Sequence, residues 1–139
     1  MIVSQLQTLI RANSSGQPPL GPVHLTNLSF AHSEVTYLES YETPSGGGYS
    51  IARRGAVEIE NAQEATVYNC IFDSVGGNGL LLSKFIRQAV VARNQLKWVG
   101  DSGIVLLGET DGCNTSTGKF PLQTLISGNV VHEHGLYGK

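Results

Sequence analysis

Charged and aromatic residues recur at a fixed spacing along the chain. Asp73 and Lys97 lie 24 residues apart, and Lys97 and His132 lie 35 apart, which is 24 plus an insertion of 11. The next position repeats the offsets with Ser74, Trp98 and Glu133. Arg53, Gly77 and Asp101 step by 24, and so do Arg54, Asn78 and Ser102. If these sets are columns of a stacked structure, one edge gathers carboxylates for proton transfer, cations for uronate carboxylates and an aromatic face for sugar rings. The candidate catalytic residues are Asp101, Asp73, Lys97, His132 and Glu133. The candidate substrate-binding residues are Arg53, Arg54 and Trp98, with Tyr41 and Tyr49 on a loop that would form a wall. Lys97, one column step from Asp73, should keep that carboxylate ionised, and partial burial should raise Asp101 towards general-acid work.

Plainer readings compete for the same residues. A solvated turn edge places opposite charges on neighbouring strands, and Gly100-Asp101-Ser102-Gly103 suits an ordinary turn. Trp98 could equally be core. His132 and His134 alternate and would share a face of a continuous strand, where a pair can hold a metal. An uncharged surface pair accounts for them better, and no metal site is assigned.

The columns presuppose a repeat. Gly55, Gly79 and Gly103 are spaced by 24, as are Gly76 and Gly100. Apolar positions follow: Ala65 with Ala89, Val67 with Val91, Phe72 with Leu96, Val75 with Val99 and Leu80 with Ile104. A further copy puts Ile126 with Val91, Val131 with Leu96, Gly135 with Gly100 and Gly138 with Gly103. Upstream, Leu25, Leu28 and Phe30 match Val67, Cys70 and Phe72 at an offset of 42, an insertion of 18 lying between about Val35 and Arg54. Each copy holds short strand-like runs, such as Val57-Glu58-Ile59 and Thr66-Val67-Tyr68, separated by turn residues. So small a unit cannot bury its apolar face alone and must stack on its neighbours. Stacking strand on strand gives an all-β parallel helix, a single solenoid of about four coils of about 24 residues with two loop insertions. An earlier strand is expected from Leu6 to Ala12.

Composition bounds the rest. With 139 residues the chain fits one domain, 1–139, expected to be truncated at its C-terminal end, since Gly138-Lys139 opens a new repeat. Open strand edges there would favour end-to-end self-association. A net charge of −2 without a basic run argues against nucleic acid as a partner. No apolar run reaches membrane-spanning length, and polar Ser4, Gln5, Gln7 and Thr8 argue against reading Met1 to Ile10 as a signal peptide. Cys70 reads as a small core residue, and with Cys113 it makes no metal motif.

The segments YETPSGGGYSIARRGAVEIENAQ, FDSVGGNGLLLS, WVGDSGIVLLG and ISGNVVHEHGLYGK resemble the right-handed parallel β-helix, pectin-lyase-like superfamily from about Pro22 onward. That resemblance implies the right hand, an extracellular setting and a polysaccharide or oligosaccharide partner. It leaves activity open, because the fold hosts polysaccharide lyases, glycoside hydrolases, epimerases and binding proteins. A hydrolase would pair carboxylates and need no cofactor. A lyase would set a basic residue beside an acidic site for Ca2+. The alternative is a carbohydrate-binding or structural solenoid without catalysis.

Overall fold

The computed structural model describes residues 5–15, 18–36, 39, 51–109 and 118–137, so Tyr41, Tyr49, Cys113 and Gly138 lie outside the described residues. Runs rich in Val, Ile, Leu, Thr and Tyr become strands, as β-branched and aromatic content favours. They are β1 (Ile10–Asn13), β2 (His24–Thr26), β3 (Ser29–Ala31), β4 (Gly55–Gln63), β5 (Thr66–Tyr68), β6 (Ile71–Val75) and β7 (Asn78–Arg87). There follow β8 (Val90–Ala92), β9 (Gln95–Val99), β10 (Ile104–Leu107), β11 (Pro121–Leu122), β12 (Leu125–Ser127) and β13 (Val130–His134). No helix occurs among the described residues, so none of them forms a helix long and apolar enough to cross a membrane. The first strand starts at Ile10 rather than Leu6. The reason is that the Leu6 carbonyl is taken by the Glu34 amide at 2.8 Å, and the chain joins the ladder only near Leu9, whose amide bonds Ala56 O.

All the pairings are parallel, in three sheets: β1-β4-β7-β10 with β11 also on β7, then β12-β8-β5-β2, then β13-β9-β6-β3. The chain visits the sheets in the same order in each round, an arrangement that suits a parallel solenoid. Val67 pairs with Val91 and Val91 with Ile126, while Phe72 pairs with Leu96 and Leu96 with Val131. Leu25–Val67 and Phe30–Phe72 extend the same columns. One expected match fails: Gly55 pairs with Asn78 rather than Gly79. The step there is 23, and a bulge between Glu60 and Ala62, where β7 carries the extra residue, restores 24. By that register Arg54, not Arg53, falls in line with Gly77.

Each round turns at the same places. Asn27, Asn69, Arg93 and Gly128 form a column with φ between 52° and 62°, and His32, Ser74, Trp98 and Glu133 form another with φ between 51° and 60°. A left-handed residue resets the side-chain alternation. Phe72 faces in and Asp73 out, yet Val75 is buried again after Ser74.

The stacked inward columns make the core, with Val67, Phe72, Leu80, Val91 and Leu96 nearly inaccessible. The glycine columns exist because the backbones touch. A Cβ on Gly100 would lie 2.3 Å from Gly76 O, and one on Gly79 2.6 Å from Gly103 O. Buried Asn94 completes the corner between β8 and β9. Its Oδ1 accepts from Cys70 N at 2.9 Å, and its Nδ2 donates to Val67 O at 3.0 Å. Asn129 repeats the pattern one round later, accepting from Asn94 N at 2.9 Å and donating to Val91 O at 2.8 Å.

Candidate functional site

The third sheet presents the predicted charges. Asp73 and Lys97 are register partners on β6 and β9, and Lys97 Nζ lies 3.0 Å from Asp73 Oδ2. Ser74 Oγ donates to Asp73 Oδ1 at 2.9 Å. The Lys97 hydrogen bond, and after it the one from Ser74, hold the Asp73 carboxyl below its ordinary range. His132 pairs in register with Lys97 and extends the outward column onto β13. Glu133 follows on the left-handed corner, so the strand does not run straight through it. His134 pairs with Val99, whose column is the buried one of Val75. The two histidines therefore belong to different faces.

Trp98 is not core: it stands 47% exposed on the corner column. Beside it opens a groove of about 260 Å³, lined among others by Ser33, Ser74, Gly76, Leu136 and Tyr137. Tyr137 is the residue that sequence reasoning missed. The match of Gly135 with Gly100 placed position 137 two residues beyond Gly100, but the chain turns at Gly135 (φ 71°). The Tyr137 amide then bonds Gly100 O at 3.0 Å, and its ring lies on Gly100, where a Cβ would sit 2.8 Å from Tyr137 Cδ2. Two exposed aromatic side chains thus flank the groove.

Asp101 lies on the adjoining turn. Its amide bonds Gly77 O at 3.1 Å, and its carbonyl accepts from Gly135 N at 2.7 Å. Burial pushes its carboxyl above the ordinary value, against a weaker opposing pull from the Ser102 hydroxyl. The two aspartates are thus pushed in opposite directions.

The arginines are held elsewhere. Arg53 Nη1 donates to Gly108 O at 2.7 Å, and Arg54 pairs with Glu39 at 3.6 Å and with buried Glu58 at 4.0 Å. Glu58 also takes Arg11 Nε at 2.6 Å, Thr8 Oγ1 at 2.7 Å and Gly55 N at 3.2 Å. Neither Arg53 nor Arg54 lines the Trp98 groove. The tyrosine wall of Tyr41 and Tyr49 lies outside the described residues. Among the described residues no group of three or more His, Cys, Asp or Glu is placed to hold a metal ion. No protein-family profile matches the chain, and no curated protein or solved structure matches it significantly.

Proposed function

We propose that the chain forms a right-handed parallel β-helix of about four coils, of the pectin-lyase-like kind, and holds an extended glycan along the edge of Asp73, Lys97, His132, Trp98 and Asp101. Four strands in register in the third sheet support the coil number. The right hand rests on the strong preference of parallel crossover connections for that sense. The observation that carries the glycan reading is the groove between exposed Trp98 and Tyr137. Asp73, which precedes the lining residue Ser74, and Asp101, whose carbonyl is bonded to Gly135, lie outside that lining and differ in acidity. The groove's volume approaches the lower end of ordinary ligand pockets, about 300 Å³, and suits one sugar ring stacked on an aromatic face.

The glycan is an uncharged one. Recognition of a uronate needs a cation free to meet a carboxylate, whereas Lys97 is committed to Asp73, Arg54 to Glu39 and Glu58, and Arg53 to Gly108 O. The lyase arm, with Ca2+ at an acidic site, is correspondingly weaker than the hydrolase arm. In a hydrolase, Asp101 would protonate the leaving oxygen and Asp73 would act in its ionised form, because two environments separate the two carboxyls. Glu133, next to His132 at the same edge, is the alternative partner carboxyl. Binding without turnover is the second reading. It is favoured by the two hydrogen bonds already made by Asp73, to Lys97 and Ser74.

Titration with neutral and uronate oligosaccharides tests the proposal. Neutral chains should bind and quench Trp98 fluorescence, with affinity falling at least about tenfold in Trp98→Ala. Turnover abolished by Asp101→Asn at unchanged binding supports the hydrolase, and binding with no turnover supports the binding protein. Failure of every sugar to bind removes the glycan reading, and uronates binding best would reverse its charge assignment.

A further inference from the structure

Asparagine does two different jobs at the corner between the second and third sheets. Asn94 and Asn129 form a ladder on the inside, where Cys70 N donates to Asn94 Oδ1 and Asn94 N to Asn129 Oδ1. Asn27 and Asn69 stand on the outside, in the left-handed column, and both are exposed. Their side chains meet: Asn69 Nδ2 donates to Asn27 Oδ1 at 2.7 Å. That leaves Asn27 Nδ2 without a partner among the described residues. The exposure belongs to the column and not to the end of the stack, because Asn69 and Arg93, with rounds on both sides, are exposed as well. Asn27 also opens the triplet Asn27-Leu28-Ser29, the acceptor pattern for N-linked glycans. Asn69 does not, since Ile71 stands two residues on. The pair thus engages the amide nitrogen of the asparagine outside the acceptor pattern and leaves open that of the one inside it.

We propose that Asn27 is an N-glycosylation site, its Nδ2 receiving an oligosaccharide from a lipid-linked diphosphate donor. The bond formed joins Nδ2 to the anomeric carbon of the first sugar. The bond broken joins that carbon to a diphosphate oxygen, which leaves with the electron pair, while the amide loses one proton to a base of the transferring enzyme. Oδ1 still accepts from Asn69 afterwards, so the corner is kept. Tyr68, whose carbonyl bonds Asn27 N at 3.1 Å, and Ile71 are 37% and 40% exposed and offer apolar surface to the first sugar.

The order of synthesis favours the same residue. β2 and β3 pair only with β5 and β6, and Asn27 lies 42 residues before its partner Asn69. Asn27 therefore sits in unpaired chain, open to an enzyme, until the β5–β6 round has been made. Two other triplets are less suited. Asn13 lines a recess of about 370 Å³ with Lys84 and Phe85, where an attached glycan would be crowded, and Asn114 lies outside the described residues. Asn27 shares no residue with the Trp98 groove, so its modification does not depend on what that groove binds.

The test reads the modification directly. The full chain is recovered from its natural source and, behind a removable secretion signal, from a eukaryotic secretory host. Amidase release of glycans in heavy-oxygen water converts a glycosylated asparagine into labelled aspartate, which peptide mass spectrometry locates. The label should appear at position 27 in both preparations. Asn27→Gln and Ser29→Ala should each abolish it, and Asn69→Gln should not. The glycosylated chain should keep slow exchange at the Val67 and Phe72 amides. Asn27→Asp, which retains Oδ1, should lose the glycan and melt with the unglycosylated parent. Unlabelled Asn27 in the natural protein, label in the host confined to Asn13 or Asn114, label that survives Ser29→Ala, or a glycosylated chain without protection at Val67 would each overturn the proposal.

Discussion

Leu96 and Val131 occupy one column of the third sheet, and only the first is core. The inner rounds, β4 to β9, and the last round, β11 to β13, share their register and corners yet differ in what covers them. Burial in a stacked fold is conferred by the next round, not by the residue type. An apolar side chain at a core position is fully covered where strands flank it on both sides, as at Leu96, and only partly covered at Val131. The largest test follows directly. Leu96→Ala should cost roughly 2–5 kcal/mol, whereas Val131→Ala should cost under about 1 kcal/mol. Thermal melts of the two variants that shift equally would break the contrast between the rounds.

Glycine positions sharpen it next. Gly100→Ala would place a Cβ 2.3 Å from Gly76 O and 2.6 Å from Gly76 C, both backbone atoms that cannot swing away. The expected loss is about 1–3 kcal/mol. Gly128 in the last round has nothing nearer than 3.7 Å and a φ of +62°. Gly128→Asn should be close to neutral in chemical denaturation, since Asn27 and Asn69 already hold that conformation in the same column. A large loss there would mean that the last round is packed more tightly than its exposure indicates.

The ladder gives a smaller difference. Asn94→Ala leaves the buried Cys70 amide and Val67 carbonyl without their partner, at a cost of about 1–3 kcal/mol. Asn129→Ala removes the equivalent contacts in the last round, where solvent can replace part of them, and should cost less. Hydrogen exchange at the Cys70 amide should accelerate only in the first variant, and protection retained there would remove the ladder from the account.

The periodicity was readable because it is carried by side chains that must repeat: Val67, Val91 and Ile126 in one column, Gly76 and Gly100 in another. Asp73 and Lys97 were readable for the same reason. The bulge was not, since Gly55 and Gly79 share a residue type at the right spacing and nothing in their identity shows that β7 holds the extra residue. The arginines moved with that register. His134 was misplaced because any residue can occupy the left-handed corner at 133, as Ser74 and Trp98 show. Tyr137 was missed because its position depends on the turn at Gly135, beyond the last repeated strand.

The smallest effect concerns the two aspartates, one on an inner strand and the other covered by the last round through Gly135. For Asp73 the native carboxyl is more acidic than its ordinary 3.8, so its contribution is present above that value and fades as pH falls through the lower native value. For Asp101 the native carboxyl is less acidic than 3.8, so ionisation opposes folding. Stability is then full below 3.8 and declines as pH rises through the native value. The two Asp→Asn variants should therefore depart from the parent in opposite directions at neutral pH, Asp73→Asn less stable and Asp101→Asn more stable. Both gaps should close in acid, as denaturant titrations across the acid range would show. Stabilisation by Asp101→Asn is also what distinguishes a carboxyl kept for function from one kept for folding, because a purely structural aspartate has no reason to sit where its charge weakens the fold. An Asp101→Asn variant that melts below the parent at neutral pH would place Asp101 among the turn-forming residues and remove it from the proposed mechanism.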